Sequence, residues 1–346
     1  MLNRLRACVR GMAGYVPGEQ INAPDVVKLN TNECPYPPSP KVFEAIQEAL
    51  TSDTLRKYPQ PLGDRFRKAA GESLGVDPDS ILIGNGSDDI LTILTRSFVP
   101  EGGLIAAPTP SYILYRSLAE IQGARFETVP FNADWKIDRP FPDANLTFLP
   151  NPNSPSGTAF SLDELRALIG RVNGPFVLDE AYADFCDWNG LSLVNELPHV
   201  VVTRTFSKYY SLAGIRFGFA VAKPEVIREL VKVKDSYNAD ALALAAVTAA
   251  IRDRDYYQGI RAKIILTRER MRSGLTALGF QVTPSHANFL WCRRNDRPLK
   301  PIAEALKAQK ILVRSMSYAG YGEGLRISVG TDAEVDRLLQ ALRSLL

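Results

Sequence analysis

Lys208 lies in the segment Thr205-Phe206-Ser207-Lys208-Tyr209-Tyr210-Ser211-Leu212-Ala213-Gly214-Ile215-Arg216, directly after the apolar run Val200-Val201-Val202. A lysine amine can hold an aldehyde cofactor as a Schiff base. Ser207 beside it, and Arg216 eight positions on, are suited to charge-assisted bonds to that cofactor's phosphate. Taken singly, a lysine is a solvated surface charge and an arginine a surface ion pair. Asp179 adds weight, standing 29 residues upstream at the end of Phe176-Val177-Leu178. A carboxylate at a buried strand end is costly unless paired. A protonated pyridinium nitrogen is such a partner, and the pair keeps the ring an electron sink. Tyr182, three residues on, is placed to bond a ring oxygen. A helix cap beside a core tyrosine explains Asp179-Glu180-Ala181-Tyr182 equally well.

Two further clusters follow strand-like runs. Gly84-Asn85-Gly86-Ser87-Asp88-Asp89 stands where Ile81-Leu82-Ile83 turns into a helical pattern. Glycines let backbone approach a ligand, and a helix start offers unpaired N–H groups to an anion. The Asp88 carboxylate would repel a phosphate, so the backbone amides and the Ser87 hydroxyl are the expected grips. A tight turn with a Ser/Asp cap is the plain alternative. Tyr112 follows Pro108-Thr109-Pro110-Ser111 and can stack on a planar ring or simply fill the core.

Composition narrows the classes. The chain has 346 residues with 41 basic and 38 acidic side chains, a net charge of +3. That near-balance gives no reason to expect nucleic acid or a membrane surface as partner. The run Arg261 to Arg272 reads as a helix with a solvated basic face. Four scattered cysteines without a CxxC pair, and only two histidines, indicate neither a metal site nor a disulfide framework. No apolar run approaches membrane-spanning length, and the N-terminus lacks a signal-peptide pattern. The expected setting is soluble, reducing and cytoplasmic.

The elements that must position these residues alternate along the chain. Short apolar runs at 81–83, 103–107, 146–149, 176–178, 200–203 and 217–221 are separated by helical patterns. This predicts an α/β domain with a mostly parallel sheet. In such sheets ligands bind beyond the carboxyl ends of strands, where nearly every polar cluster above falls. The spacing of Val42, Phe43, Ala45, Ile46, Ala49 and Leu50 predicts a helix after the Pro-rich stretch 35–40, and Ala239 to Ile251 predicts another. Beyond about 255 a long helix, strands at 288–291, 311–314 and 325–329, a helix at 302–309 and a closing helix from 332 predict a smaller α+β unit. The expected division is an arm over 1–27, part of the small unit and a linker over 28–55, the large domain over 56–250 and the small domain over 251–346.

The full set resembles fold-type I pyridoxal-phosphate-dependent aminotransferases, most closely their histidinol-phosphate branch. The resemblance runs through Tyr15-Val16-Pro17-Gly18, Leu29-Asn30-Thr31-Asn32-Glu33, Tyr58-Pro59, Gly84 to Asp88, Asn151 to Gly157, Asp179 to Tyr182, Thr205 to Arg216 and Gly324-Leu325-Arg326. It implies a large domain with a mostly parallel seven-stranded sheet between helices, plus a smaller α+β domain. It implies that Lys208 binds pyridoxal 5'-phosphate and shuttles a proton. Asp179 then holds the ring nitrogen, Tyr182 the ring oxygen, and Tyr112 covers the ring. Ser87, the Asp88 amide, Ser207 and Arg216 bind the phosphate. By the same resemblance Tyr58 reaches the neighbouring subunit's cofactor, so a homodimer is expected. Arg326 binds the anionic end of the substrate, with Arg314 and the Tyr15 of a second subunit.

One departure concerns the turn Asn151-Pro152-Asn153-Ser154-Pro155-Ser156-Gly157. The family carries an asparagine to the ring oxygen where this chain has Ser154. Either Ser154 makes a weaker contact, or Asn153 shifts to serve, or Tyr182 suffices. Cys34, in place of a frequent asparagine, reads as a local packing change. The implied reaction moves an amine between histidinol phosphate and 2-oxoglutarate, giving imidazole-acetol phosphate and glutamate, a step of histidine biosynthesis. Alternatives on the same fold are a broader amino-acid aminotransferase, a phosphothreonine decarboxylase and a silent binding protein; the intact Lys208, Asp179 and Arg216 argue against the last. A dinucleotide-binding dehydrogenase would explain the first glycine turn alone, and its spaced glycine fingerprint is missing.

Overall fold

The computed structural model describes residues 2–14, 18–21 and 23–346. Its apolar runs form two sheets. Val27–Leu29 (β1) belongs to the smaller one. The larger is built from Ile81–Gly84 (β2), Leu104–Thr109 (β3), Arg125–Pro130 (β4), Leu146–Pro150 (β5), Phe176–Asp179 (β6), Val200–Thr205 (β7) and Gly218–Val221 (β8). Gln281–Val282 (β9), Phe289–Arg293 (β10), Ile311–Tyr318 (β11) and Gly322–Ser328 (β12) complete the smaller.

The large sheet runs β2-β8-β7-β6-β5-β3-β4, seven strands, of which β8 alone opposes the rest. The reason lies in the connection. Between Thr205 and Gly218 the chain forms only a 3-10 turn at Ala213–Ile215. A parallel return needs a longer crossover, so β8 folds back beside β7. Thr205 and Gly84 thereby both pair with Gly218, which brings the lysine segment alongside the glycine turn after β2.

Burial explains why these strands read as continuous apolar runs. Phe176, Leu178, Val200 and Val202 enter one core cluster, while Val177 and Val201 enter another on the opposite face. Alternation is hidden because both faces are covered. β4 was not expected from the sequence. It is an edge strand with exposed Arg125, Glu127 and Thr128, and it needs little apolar content.

The small sheet runs β1-β11-β12-β10-β9, with β1 parallel to β11. A third cluster, with Leu29, Leu290, Ile327 and Leu338, fills its core. The closing helix Asp332–Leu345 starts at a reciprocal cap between Thr331 and Glu334. The helix Pro40–Ala49 packs on Ala241–Arg252, with Val42 inside the main core of the large sheet. Among the described residues, no helix is long and apolar enough to cross a membrane.

Candidate active site

The carboxyl ends of the large-sheet strands and one face of the small sheet enclose a cavity of about 1180 Å³. Ser87, Tyr112, Asp179, Lys208, Arg314 and Arg326 all line it.

At one corner Gly84 closes β2 and Gly86, at φ +85°, turns the chain into the helix Ser87–Phe98. A Cβ on Gly86 would stand 2.7 Å from Arg216 Nη2, so glycine is what lets the guanidinium lie against the helix start. Arg216 Nη1 donates to Ser207 Oγ at 3.2 Å, and Nη2 lies 3.8 Å from Asp88 Oδ2. The Tyr112 hydroxyl donates to Asp88 Oδ1 at 3.1 Å. Ser87, Asp88, Tyr112, Ser207 and Arg216 thus converge from three separate segments.

Asp179 ends β6 and is 4% exposed. Burial pushes its carboxyl up to about 6; hydrogen bonds from Tyr115, at 2.7 Å, and Thr203, at 3.2 Å, act the other way. Lys208 Nζ donates to the Thr31 carbonyl at 2.9 Å and sits 5.9 Å from the Tyr182 ring centre. The Tyr182 oxygen accepts from Asn32 Nδ2 at 2.9 Å.

The turn after β5 separates its two candidates. Ser154 faces the cavity, and its hydroxyl accepts from Arg326 Nη1 at 2.9 Å. Asn153 is buried behind it, donating to Ser156 Oγ at 2.9 Å and the Pro110 carbonyl at 3.3 Å, and its Oδ1 has no partner. Arg326 Nη2 donates to the Asn30 carbonyl at 3.0 Å, while its buried Nε has no partner. Arg314 stands directly opposite Arg326 in the β11–β12 register. Like charges so placed repel, and a dianion between them relieves the cost.

Tyr58 lies away from this cavity. It is 81% exposed and stacks on Tyr237 with ring centres 4.4 Å apart. Tyr15 lies outside the described residues. Cys34 is half-buried against the main core. No group of ligands suited to a metal ion occurs among the described residues.

Sequence reading missed Tyr115, Thr203 and a role for Asn32. Thr203 was findable only with strand order in hand, because it pairs in register with Asp179 across β6–β7. Tyr115 had one weak signal, a tyrosine three positions after Tyr112 in a helical pattern.

The family model for aminotransferases of class I and II matches residues 24–342. A histidinol-phosphate aminotransferase of Rhodopirellula baltica is 52% identical over 336 residues, covering 96% of this chain and 92% of the relative. One from Syntrophotalea carbinolica is 48% identical, covering 99% of both. Among solved structures, histidinol-phosphate aminotransferase of Sinorhizobium meliloti in complex with pyridoxal-5'-phosphate superposes with a TM-score of 0.87 at 26% identity, over 99% of this chain and 98% of that one. With the lysine, the aspartate and the paired arginines opening on one cavity, the chain belongs to the class I and II aminotransferases.

Proposed function

We propose that this chain is a pyridoxal-phosphate-dependent transaminase that moves an amino group between histidinol phosphate and 2-oxoglutarate. The substrate reading rests on full-length relatives of that name at up to 52% identity. The chemistry rests on one observation: Lys208 and the Arg314–Arg326 pair open on the same cavity.

The residues present fit the cofactor. Asp179 is a buried carboxylate whose neighbours are hydroxyl donors rather than a cation. A positively charged ring nitrogen beside it stabilises its ionised form. Gly86 leaves a cradle between the helix start and Arg216 in which a phosphate meets N–H groups and a guanidinium. When bound, the cofactor supplies a carbonyl that carries the amino group and a ring that takes up electrons.

The chain's own residues do the rest. Ser87, the Asp88 amide, Ser207 and Arg216 hold the phosphate. Tyr112 covers the ring face. Tyr182 would donate to the ring oxygen, and Ser154, which accepts from Arg326, would help hold that arginine. Lys208 Nζ would hold the cofactor, and its amine would take up the proton from the substrate carbon that bears the amino group. Arg326 and Arg314 grip the substrate's anionic end, phosphate in one half-reaction and carboxylate in the other. In this reading residues 56–250 carry the cofactor, and 251–346 with β1 form the substrate wall. The exposed Tyr58 ring would serve the site of a second copy in a homodimer, and Tyr15 of that second copy would enter the site of this chain.

Purified protein is expected to carry a visible absorption band that borohydride bleaches irreversibly. Lys208→Ala retaining turnover would sink the proposal.

A further inference from the structure

Three consecutive residues after β1 each meet one working side chain. The Asn30 carbonyl accepts from Arg326, the Thr31 carbonyl from Lys208, and the Asn32 amide donates to Tyr182. The third contact differs in kind, because a side-chain amide has two unlike ends. Which end faces the phenol decides what the phenol can do.

The bonds around Asn32 favour one end. Its backbone N–H donates to Ser328 Oγ at 2.9 Å, and the Ser328 hydroxyl donates back to Asn32 Oδ1 at 3.0 Å. A serine has one proton, and here it is given to the amide oxygen. That fixes Oδ1 toward β12 and leaves Nδ2 facing Tyr182. Asn288 Nδ2 donates to the Asn32 carbonyl at 2.9 Å and holds the backbone from the other side. Asn32, Asn288 and Ser328 are all buried, so water does not compete for these groups. Asn32 itself sits at φ +58°, a conformation that asparagine tolerates better than most residues.

The consequence falls on Tyr182. Its oxygen accepts from Asn32, and among the described residues nothing accepts the phenol's own proton. The hydroxyl is therefore oriented as a donor into the cavity it lines.

We propose that Asn32 is a positioning residue that makes Tyr182 an obligate donor to the cofactor's ring oxygen. This rests on the cofactor reading above. It also answers how the chain manages with a serine at position 154. Asn153 lies buried off the cavity and Ser154 Oγ is drawn toward Arg326, whereas the Tyr182 phenol has its direction set from the small sheet.

The test is a pH titration of the visible band of the cofactor-loaded enzyme. A donor to the ring oxygen stabilises negative charge there and eases loss of the proton from the Lys208 nitrogen. Asn32→Gly removes the amide while keeping a left-handed backbone. It is expected to raise the midpoint by about half a unit to one unit, the worth of one hydrogen bond. In a Tyr182→Phe background the same substitution should cause no further shift. Ser328→Ala, which frees the amide to flip, should shift the midpoint the same way by less. The charged groups near Tyr182 and Lys208, namely Asp179, Glu33 and Arg326, are the same in all these variants. An unchanged midpoint in Asn32→Gly overturns the proposal. So does an equal shift with and without the Tyr182 hydroxyl, which would mark general loosening. Absence of any band that borohydride bleaches overturns the cofactor reading, and this proposal with it.

Discussion

The cavity's two ends are supplied with charge in different ways. At the large-sheet end, Asp179 is held by Tyr115 and Thr203, and Arg216 by Ser207 and Asp88. Asp179 ends a strand and Ser207 follows one, while Asp88 and Tyr115 stand in the first turns of helices. At the small-sheet end, Arg314 and Arg326 face one another across an antiparallel register, and Arg326 Nε is buried without a partner. The first end is arranged before anything binds. The second sets two arginines side by side, with Arg326 Nε buried and unbonded. The cofactor end should therefore answer to spectra and turnover, and the substrate end to affinity.

The largest expected effect belongs to Lys208. Lys208→Ala should lower kcat by about 10⁴-fold, the upper range for a lost acid–base group, and abolish the band fixed by borohydride. Substitution of Asp179 comes next. Asp179→Asn should lower kcat by about 10²–10³-fold, as for other lost electrostatic contacts to a reacting group.

The same variant carries a stability prediction of opposite sign. With the Asp179 carboxyl raised from 3.8 to about 6, the native state binds more protons than the unfolded chain between those values. Stability from this group falls as pH rises through that window, and the penalty stays constant above it. Cofactor-free Asp179→Asn should thus be more stable than the parent at pH 8, by on the order of 1–3 kcal/mol, and by much less at pH 4. Chemical denaturation at the two values checks this. A parent protein as stable as the variant at pH 8 would break the claim that this carboxylate is held ready for a cation.

At the other end, Arg326→Gln should raise KM for the phosphorylated substrate by about 10–100-fold, the loss of a charged hydrogen bond or two, and leave the visible band in place. Loss of the band would erase the distinction between the ends. The smallest effect falls to Ser154→Ala. It should raise KM by about 5-fold through a less well held Arg326, with no change in the band's pH midpoint. A midpoint shift there would show that Ser154 serves the ring oxygen after all.

The two ends also differed in how far the sequence disclosed them. The large-sheet end of the cavity was legible because its residues follow apolar runs at short spacings. Ser87, Asp179 and Lys208 each stand within a few residues of a strand's end, and a parallel sheet gathers those ends without further information. What pairs with them was not legible. Thr203 reaches Asp179 through strand register, and Tyr115 through the packing of a helix whose ring stacks on Phe148. At the substrate end Arg314 and Arg326 are 12 residues apart and came only from resemblance. Their apposition is a product of the β11–β12 register, which spacing alone does not fix. The edge strand β4 escaped notice because an exposed edge carries no apolar pattern. Asn32 escaped because its contact exists only where a residue after β1 of the small sheet meets one after β6 of the large sheet.

The central claim is that the lysine at one end and the arginines at the other serve a single phosphorylated amine. Stopped-flow mixing of the cofactor-loaded enzyme with histidinol phosphate, and separately with histidinol, tests it most directly. The account predicts rapid loss of the visible band with histidinol phosphate, and at sub-saturating concentration a rate about 100-fold lower without the phosphate. Equal rates with both amines, or no response to histidinol phosphate from an enzyme that responds to other amino acids, would contradict it.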